Sequence, residues 1–162
     1  MVSGQHENFS GRLIRLIESN AEELTQGTVR KLHSSTLTKS YHDLPHHEIY
    51  SRAYEVYHNL GRWLWEKSGD AVQHWYNGLG DERCREGIPL TEVLWALVLT
   101  KERLLEYVAT CAFADSAVEL YQQQEFHTLV GHFFDRALCY TAEGYEQHSA
   151  RHGKAGPTAL AS

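Results

Sequence analysis

The stretch over residues 115–151 constrains the fold most, because no proline interrupts it and its apolar residues recur at helical spacing. These apolar positions are Phe126, Leu129, Val130, Phe133, Phe134, Ala137, Leu138 and Tyr140. A helix of about 35 residues is about 50 Å long at roughly 1.5 Å per residue. A compact domain of this chain's length has a diameter of only about 40 Å. The last helix is therefore predicted to extend beyond a monomer, and its wide apolar face favours a homodimer.

The rest of the chain is also patterned for helices. Helical spacing of apolar residues covers 8–34, 45–64, 71–86 and 89–108. Pro45 and Pro89 suit helix starts, and Gly87 suits a helix end. No segment alternates with the period of two that is typical of strands. We therefore predict an all-α, globin-like or bundle-like domain of five to six helices over residues 1–152, followed by a disordered tail over 153–162.

Composition excludes several classes of protein. The formal net charge of −6, without a cluster of Lys and Arg, argues against a nucleic-acid partner. The longest apolar run, VLWALVL at 93–99, is far shorter than the roughly 20 residues that span a bilayer, so no membrane partner is expected. The N-terminal residues carry no hydrophobic core of a secretory signal. Cys84, Cys111 and Cys139 form no Cys-x-x-Cys pair, which argues against disulfides and thiolate zinc. A cytoplasmic protein is predicted.

The 11 histidines raise the question of a metal or haem site. Glu55 and His58 form one Glu-x-x-His pair, but a di-iron bundle needs two. Haem needs a histidine on a helix face that is otherwise apolar, and His127 shares a face with Phe134. The alternative hypothesis is therefore a haem- or metal-binding protein that uses His127, His132 or His58. A histidine beside an apolar stripe is more often a boundary residue, so no cofactor is the leading prediction.

Many aromatic residues fall on the predicted helix faces, and they permit two interpretations. Core and interface packing is the simpler one, with each hydroxyl or indole N–H satisfied at the boundary. The other is a cavity for a small apolar or planar ligand. The candidate ligand-binding residues are Tyr54, Tyr57, His58, Trp95, His127 and Phe134.

No catalytic residue is predicted. Cys84 lies between Arg83 and Arg85, which would lower its pKa in a thiol-dependent enzyme, but a small residue on a charged helix is the simpler interpretation.

Asp135 follows two phenylalanines in an apolar segment, so a buried charge there would need a partner. We expect Arg83, Arg85 or Arg103 to supply it, with Arg83 and Asp135 forming a structural clasp.

Two motifs and one further segment resemble a known family. The first motif is Gly-x-x-Arg-x-x-x-Gly-Ile-Pro-Leu at 80–90, and the second runs from Phe-Phe-Asp-x-Ala at 133–137 to Gly-Tyr-Glu at 144–146. Together with ELTQGTVRKL at 23–32, they resemble the RsbT co-antagonist RsbRD N-terminal domain family. The resemblance implies a bacterial sensory or regulatory input module, similar to the non-haem globin-like domains of stressosome proteins.

Such modules dimerise through terminal helices and pass a signal along the last helix to an effector. Here only a short tail follows the last helix, so we expect either output in trans to a regulatory protein partner or a longer parent chain. The residues expected to matter structurally are Arg83, Pro89, Asp135 and Tyr145. The leading hypothesis is a non-enzymatic, cytoplasmic sensor domain that acts as a homodimer.

Overall fold

The computed structural model describes residues 8–66 and 69–153. Every regular element in these ranges is a helix, and the last is the longest, which confirms the predicted all-α fold with a long C-terminal helix. The elements are α1 (Phe9–Ser19), α2 (Ala21–Ser34), a 3-10 helix (Thr36–Tyr41), α3 (His46–His58), a π-helical turn (Arg62–Glu66), α4 (Gly69–Arg85), α5 (Leu90–Cys111) and α6 (Ala117–Gly153). Most of the tail predicted over 153–162 lies outside the described residues.

Local sequence signals set most helix boundaries. The Asn8 side chain caps α1 by accepting a hydrogen bond from the Gly11 amide over 2.8 Å. Pro45 and Pro89 immediately precede α3 and α5, as predicted. After α4 the backbone turns at Gly87, whose φ of 77° is a conformation that favours glycine.

The helix predicted over 8–34 is two helices, because the chain breaks at Asn20. Asn20 has φ −116° and ψ 21°, which is not helical. Its side-chain amide donates to the Leu16 carbonyl oxygen over 2.8 Å, and its backbone N–H bonds to Ile17. Such local hydrogen bonds of an asparagine compete with the bonds of the next helical turn, so the helix ends at Asn20 although the apolar spacing continues past it.

α6 runs through the centre of the packing and is 37 residues long, or about 55 Å at roughly 1.5 Å per residue. Its buried face begins at Phe126 and ends at His148. The Phe133 ring lies 5.9 Å from Trp63, 5.8 Å from Tyr76 and 5.2 Å from Phe134, centroid to centroid. Burial of each such ring stabilises the fold by about 1.5–3 kcal/mol, so α6 is a core element.

The start of α6 is held by α1. The Phe9 amide donates to Gln122 Oε1 over 2.8 Å, and the Ser10 hydroxyl donates to the Gln122 carbonyl oxygen over 2.9 Å. Arg12 and Glu119 form an ion pair at 2.6 Å. One side of the first turns of α6 is therefore covered, while Val118, Leu120 and Tyr121 stay exposed.

Candidate functional site

The two sequence motifs meet where α4 crosses α6. A Cβ atom added to Gly80 would lie 2.6 Å from the Tyr145 amide nitrogen, and one added to Gly144 would lie 2.6 Å from the Asn77 Cα. Real Cβ atoms do not come this close to other atoms, so both positions require glycine. The backbones of α4 and α6 are in direct contact here.

The same part of α6 is tied to the turn between α4 and α5. The Tyr145 hydroxyl donates to the Ile88 carbonyl oxygen over 2.6 Å. Ile88 is buried and directly precedes Pro89. One turn further along α6, His148 Nδ1 lies 2.7 Å from Asp81 Oδ1 on α4. The C-terminal half of α6 is therefore fixed to α4 by backbone contact and by His148, and to the turn after α4 by the Tyr145 hydroxyl.

Two buried side-chain oxygen atoms at this crossing are unpartnered among the described residues. Asn77 Oδ1 on α4 and Thr141 Oγ1 on α6 are buried, and neither has a hydrogen-bond partner in the part of the chain that the structure describes. Asn77 lies beside Gly144, and Thr141 lies beside Gly80. Unsatisfied buried polar groups are uncommon in folded proteins and call for a physical explanation.

Arg83 is the buried centre of an ionic cluster next to the crossing, and its carboxylate partners are part-exposed. Its side chain is 2% exposed, and Nη1 donates to Glu86 Oε2 over 2.8 Å and lies 3.7 Å from Glu48 Oε2. Its guanidinium carbon lies 5.5 Å from the centroid of the Tyr41 ring. Burial raises the pKa of Tyr41 to about 12, although the neighbouring Arg83 opposes this. The cluster joins α4 to α3 and to the 3-10 helix.

A second arginine lies close by and is half-buried. Arg52 on α3 pairs with Glu82 at 2.6 Å and donates to the Trp75 carbonyl oxygen over 3.2 Å. Its guanidinium carbon also lies 4.8 Å from the centroid of the Trp75 ring, a cation–π contact. Arg52 thus links α3 to α4 from the solvent side.

Among the described residues, Glu48, Glu82 and Glu86 are grouped so that an oxygen of each lies within 4.8 Å of the others. Arg83 and Arg52 already pair with these carboxylates. Burial is the largest cause that raises the pKa of Glu86, and the neighbouring Glu48 carboxylate raises it further against the effect of Arg83. The guanidinium groups supply the positive charge that a metal cation would otherwise provide.

The predicted ligand-binding residues do not converge on one site. Phe134 is buried and lines an internal cavity. Tyr57 is fully buried, and its hydroxyl bonds to Thr28 Oγ1 at 2.9 Å and to the Thr100 carbonyl oxygen at 2.8 Å. Tyr54 and His58 stack on each other along the outside of α3, at 5.0 Å between centroids. The remaining two, Trp95 and His127, are exposed on α5 and α6.

The histidines of the alternative haem or metal hypothesis lie on the surface. His58, His127 and His132 are all exposed, and none lines the internal cavity. Haem ligation by any of them stays a prediction, which an absorption spectrum of the purified protein tests. A Soret band would establish haem binding, and its loss on substitution of one of these histidines would identify the ligand.

The expected pairing of Arg83 with Asp135 is wrong. Arg83 pairs with Glu86 and Glu48, whereas Asp135 is exposed on α6. The reason is helical geometry, because Phe133, Phe134 and Ala137 occupy the buried face and leave position 135 facing outwards. The three arginines considered as partners for Asp135 therefore use other carboxylates: Arg83 pairs with Glu86, Arg85 with Asp81 and Arg103 with Glu106.

Sequence reasoning missed several residues of the site. Tyr41 and Glu48 approach Arg83 only through folding, since more than thirty residues separate them from it in the chain. No local pattern marks them. Asn77 and Thr141, by contrast, each lie three residues before a motif glycine, at the spacing of one helical face. This three-residue spacing is the sequence pattern from which the crossing could have been predicted.

The described residues thus form an all-α domain whose long last helix is fixed to α4 at this crossing. The sequence model of the RsbT co-antagonist protein rsbRD N-terminal domain matches residues 21–156, and the chain belongs to this family. The family is one of stressosome-type regulatory input domains. No curated protein and no solved structure matches the chain. Within the described residues, no helix has the length and apolar character needed to cross a bilayer.

Proposed function

We propose that this chain is a cytoplasmic, non-catalytic input domain of a bacterial stressosome-type regulator, which transmits a signal by a change in the packing of α6 within a homodimer. Membership of the family supports the regulatory role. The net charge of −6 favours a protein partner over a nucleic acid. The α4–α6 crossing supports the mechanism.

The unpartnered groups at the crossing carry the proposal. Burial of Asn77 Oδ1 and Thr141 Oγ1 without partners costs roughly 1–3 kcal/mol each. A shift of α6 against α4 that gives either group a partner recovers part of this free energy. A second arrangement within a few kcal/mol of the first is then accessible, which is what a two-state switch requires. α6 carries such a shift to both of its ends.

Exposed apolar side chains near the start of α6 support the homodimer. Phe113 is 77% exposed, and Leu120 and Tyr121 are more than half exposed. Trp65 and Tyr121 line the same surface groove, together with Leu129. Clustered apolar surface of this kind is typical of protein contacts, and a second copy would remove it from water.

NMR relaxation dispersion tests the packing change. The wild-type chain is expected to show millisecond exchange at the amides of Asn77, Thr141 and Tyr145. The substitution Thr141→Val removes the unpartnered hydroxyl and should suppress this exchange. The control Thr128→Val changes an exposed threonine on the same helix, whose hydroxyl donates to the Gln124 carbonyl oxygen. Flat dispersion profiles in the wild type, or equal effects of the two variants, would contradict the mechanism.

Light scattering tests the homodimer. The expected mass at micromolar concentration is twice the monomer mass of 18.5 kDa. Leu120→Arg places a charge in the apolar patch and should shift the protein towards monomer. Leu37→Arg is the control, because Leu37 is exposed on the 3-10 helix away from α6. A wild-type mass of 18.5 kDa would refute the homodimer.

A further inference from the structure

One carboxylate oxygen of Glu48 is buried without a hydrogen-bond donor. Glu48 lies in the first turn of α3, and its Oε2 has no hydrogen-bond partner among the described residues. Arg83 Nη1 lies 3.7 Å from this oxygen, which is too long for a hydrogen bond. The same Nη1 already donates to Glu86 Oε2 over 2.8 Å. A buried acceptor without a donor is costly, so this contact between α3 and α4 calls for one more donor.

Glu86, directly after α4, is the carboxyl group next to this oxygen. The side chains of Glu48 and Glu86 are within reach of a single hydrogen bond, and oxygens of both lie within 4.8 Å of each other and of Glu82. Carboxylates that share a site repel, so one of them binds a proton more readily than usual. Burial comes first among the causes that raise the pKa of Glu86, the Glu48 carboxylate adds to it, and Arg83 opposes both.

Charged and titratable groups from four elements surround this pair. Arg83 approaches it from α4, and Arg52 of α3 pairs with Glu82 of α4 on the solvent side. Tyr41 of the 3-10 helix lies beside Arg83, and its raised pKa of about 12 keeps its hydroxyl neutral. Glu92 of α5 is close enough to contribute to that rise. With the pair included, two guanidinium groups face four carboxylates, so one bound proton brings the group closer to neutrality.

A proton on Glu86 supplies the missing donor and reduces the excess charge at once. The protonated carboxyl keeps one oxygen as the acceptor for Arg83 Nη1 and directs its O–H towards Glu48 Oε2. We propose that Glu86 and Glu48 share one proton in this way. The contact between the start of α3 and the end of α4 then gains a hydrogen bond at lower pH. It loses this bond as the pH rises and Glu86 releases the proton to water.

The effect on stability has a definite sign. The pKa of Glu86 is raised in the folded chain, so the folded state holds the proton more tightly than the unfolded state does. The stability that the proton contributes is complete below the unfolded pKa of about 4.3. It is lost as the pH rises through the folded pKa. The shared proton therefore makes the contact of α3 with α4 tighter in acid and looser in base.

A carbon-13 NMR titration of the glutamate side-chain carboxyl groups in the full chain tests where the proton lies. The Glu86 carboxyl carbon should titrate with a midpoint above the ordinary value of about 4.3. Glu48→Gln removes the neighbouring negative charge and should lower this midpoint. Glu106→Gln is the matched control, because Glu106 is exposed on α5 and its nearest recorded cation, Arg103, is 3.9 Å away. It should leave the midpoint of Glu86 unchanged.

Urea unfolding tests whether the proton stabilises the contact. Glu86→Gln carries an N–H donor at every pH and so imitates the protonated carboxyl group. From pH 5 to pH 8 the wild type should lose stability relative to this variant, whereas the difference between the wild type and Glu106→Gln should stay constant. Asp81 is present in all three proteins, so its own contribution cancels. If Glu86→Gln fails to fold, the titration of the wild type and of Glu48→Gln still decides the question.

Several results would overturn the proposal. A midpoint of Glu86 at or below the ordinary value would mean that solvent, and not a shared proton, satisfies Glu48 Oε2. A midpoint that Glu48→Gln leaves unchanged would mean that burial acts alone, and a raised midpoint at the Glu48 carbon only would exclude Glu86 as the donor. A stability difference that does not vary with pH would exclude the effect on the contact. Neither measurement depends on dimerisation or on exchange at the α4–α6 crossing, so the proposed function keeps its own tests.

Discussion

The Tyr145 hydroxyl and the Ile88 carbonyl oxygen are joined by a hydrogen bond of 2.6 Å. Ile88 belongs to the turn that ends α4 and begins α5, and Tyr145 lies on α6 next to Gly144. This one bond therefore links the two sequence motifs directly. The motifs are distant in the chain, but both lie at the contact of α4 with α6. That contact explains why they contain glycine at positions 80 and 144 and tyrosine at position 145.

Loss of the Tyr145 hydroxyl should weaken the attachment of α6. Tyr145→Phe keeps the ring and removes the donor, so the free energy of unfolding should fall by about 1 kcal/mol. Urea unfolding measures this change. Tyr121→Phe is the control, because Tyr121 lies on the same helix and is exposed, and it should change stability by less than about 0.5 kcal/mol. Equal effects of the two variants would contradict the role of the bond.

Much of the fold follows from local sequence. The spacing of apolar residues from Phe126 to Leu138, without a proline, predicts α6. Pro45, Pro89 and Gly87 mark helix boundaries that the structure contains. The break at Asn20 is less visible, because a single side-chain hydrogen bond ends α1 while the apolar spacing continues.

The candidate site was harder to predict, since it depends on contacts between distant parts of the chain. Arg83 stands out in its motif, and Glu86, three residues later, is a partner that helical spacing allows. Glu48 and Tyr41 reach Arg83 only because α3 and the 3-10 helix fold against α4. Asp135 was expected beside Arg83 because of its apolar neighbours, but the direction of a helical side chain depends on which face the tertiary packing buries.

Alanine at the crossing glycines should separate α4 from α6. Gly80→Ala and Gly144→Ala place a methyl group against backbone atoms, which cannot move aside as a flexible side chain can. Each should lower the free energy of unfolding by about 1–3 kcal/mol or more. Urea unfolding at constant pH provides the measurement.

The same helices contain the matched controls. No atom lies within 4 Å of a Cβ built on Gly78 of α4 or Gly131 of α6. Alanine at either position should raise stability by roughly 0.5–1 kcal/mol, because glycine is entropically unfavourable within a helix. The close contact of α4 and α6 would be refuted if all four substitutions changed stability in the same direction.

Removal of the buried Arg83 charge should be destabilising. Arg83→Met keeps much of the volume and leaves the part-exposed Glu86 and Glu48 without their cation, so the free energy of unfolding should fall by about 1–3 kcal/mol. Addition of Glu86→Gln to this variant should recover part of the loss. Arg85→Met is the control, since Arg85 is 67% exposed and its pair with Asp81 should contribute about 1 kcal/mol or less. Thermal unfolding distinguishes these effects, and equal melting temperatures for the two single variants would contradict them.

The contact between Asp81 and His148 should make stability depend on pH in the acid range. The hydrogen bond from His148 is the largest cause that lowers the pKa of Asp81, and the positive charges of His148 and Arg85 lower it further. A carboxyl group whose pKa is lower in the folded state contributes stability that is complete above its unfolded pKa of about 3.9. That contribution disappears as the pH falls through the folded pKa.

Asp81→Asn should therefore be less stable than the wild type near pH 6, and the difference should shrink as the pH falls below about 4. Urea unfolding over this pH range gives both stabilities. Asp135→Asn, an exposed substitution on α6, controls for the loss of one carboxylate from the surface. A difference that stays constant with pH would show that Asp81 acts through packing alone. A difference that shrinks only for Asp81→Asn ties the acid sensitivity to the Asp81–His148 hydrogen bond between α4 and the end of α6.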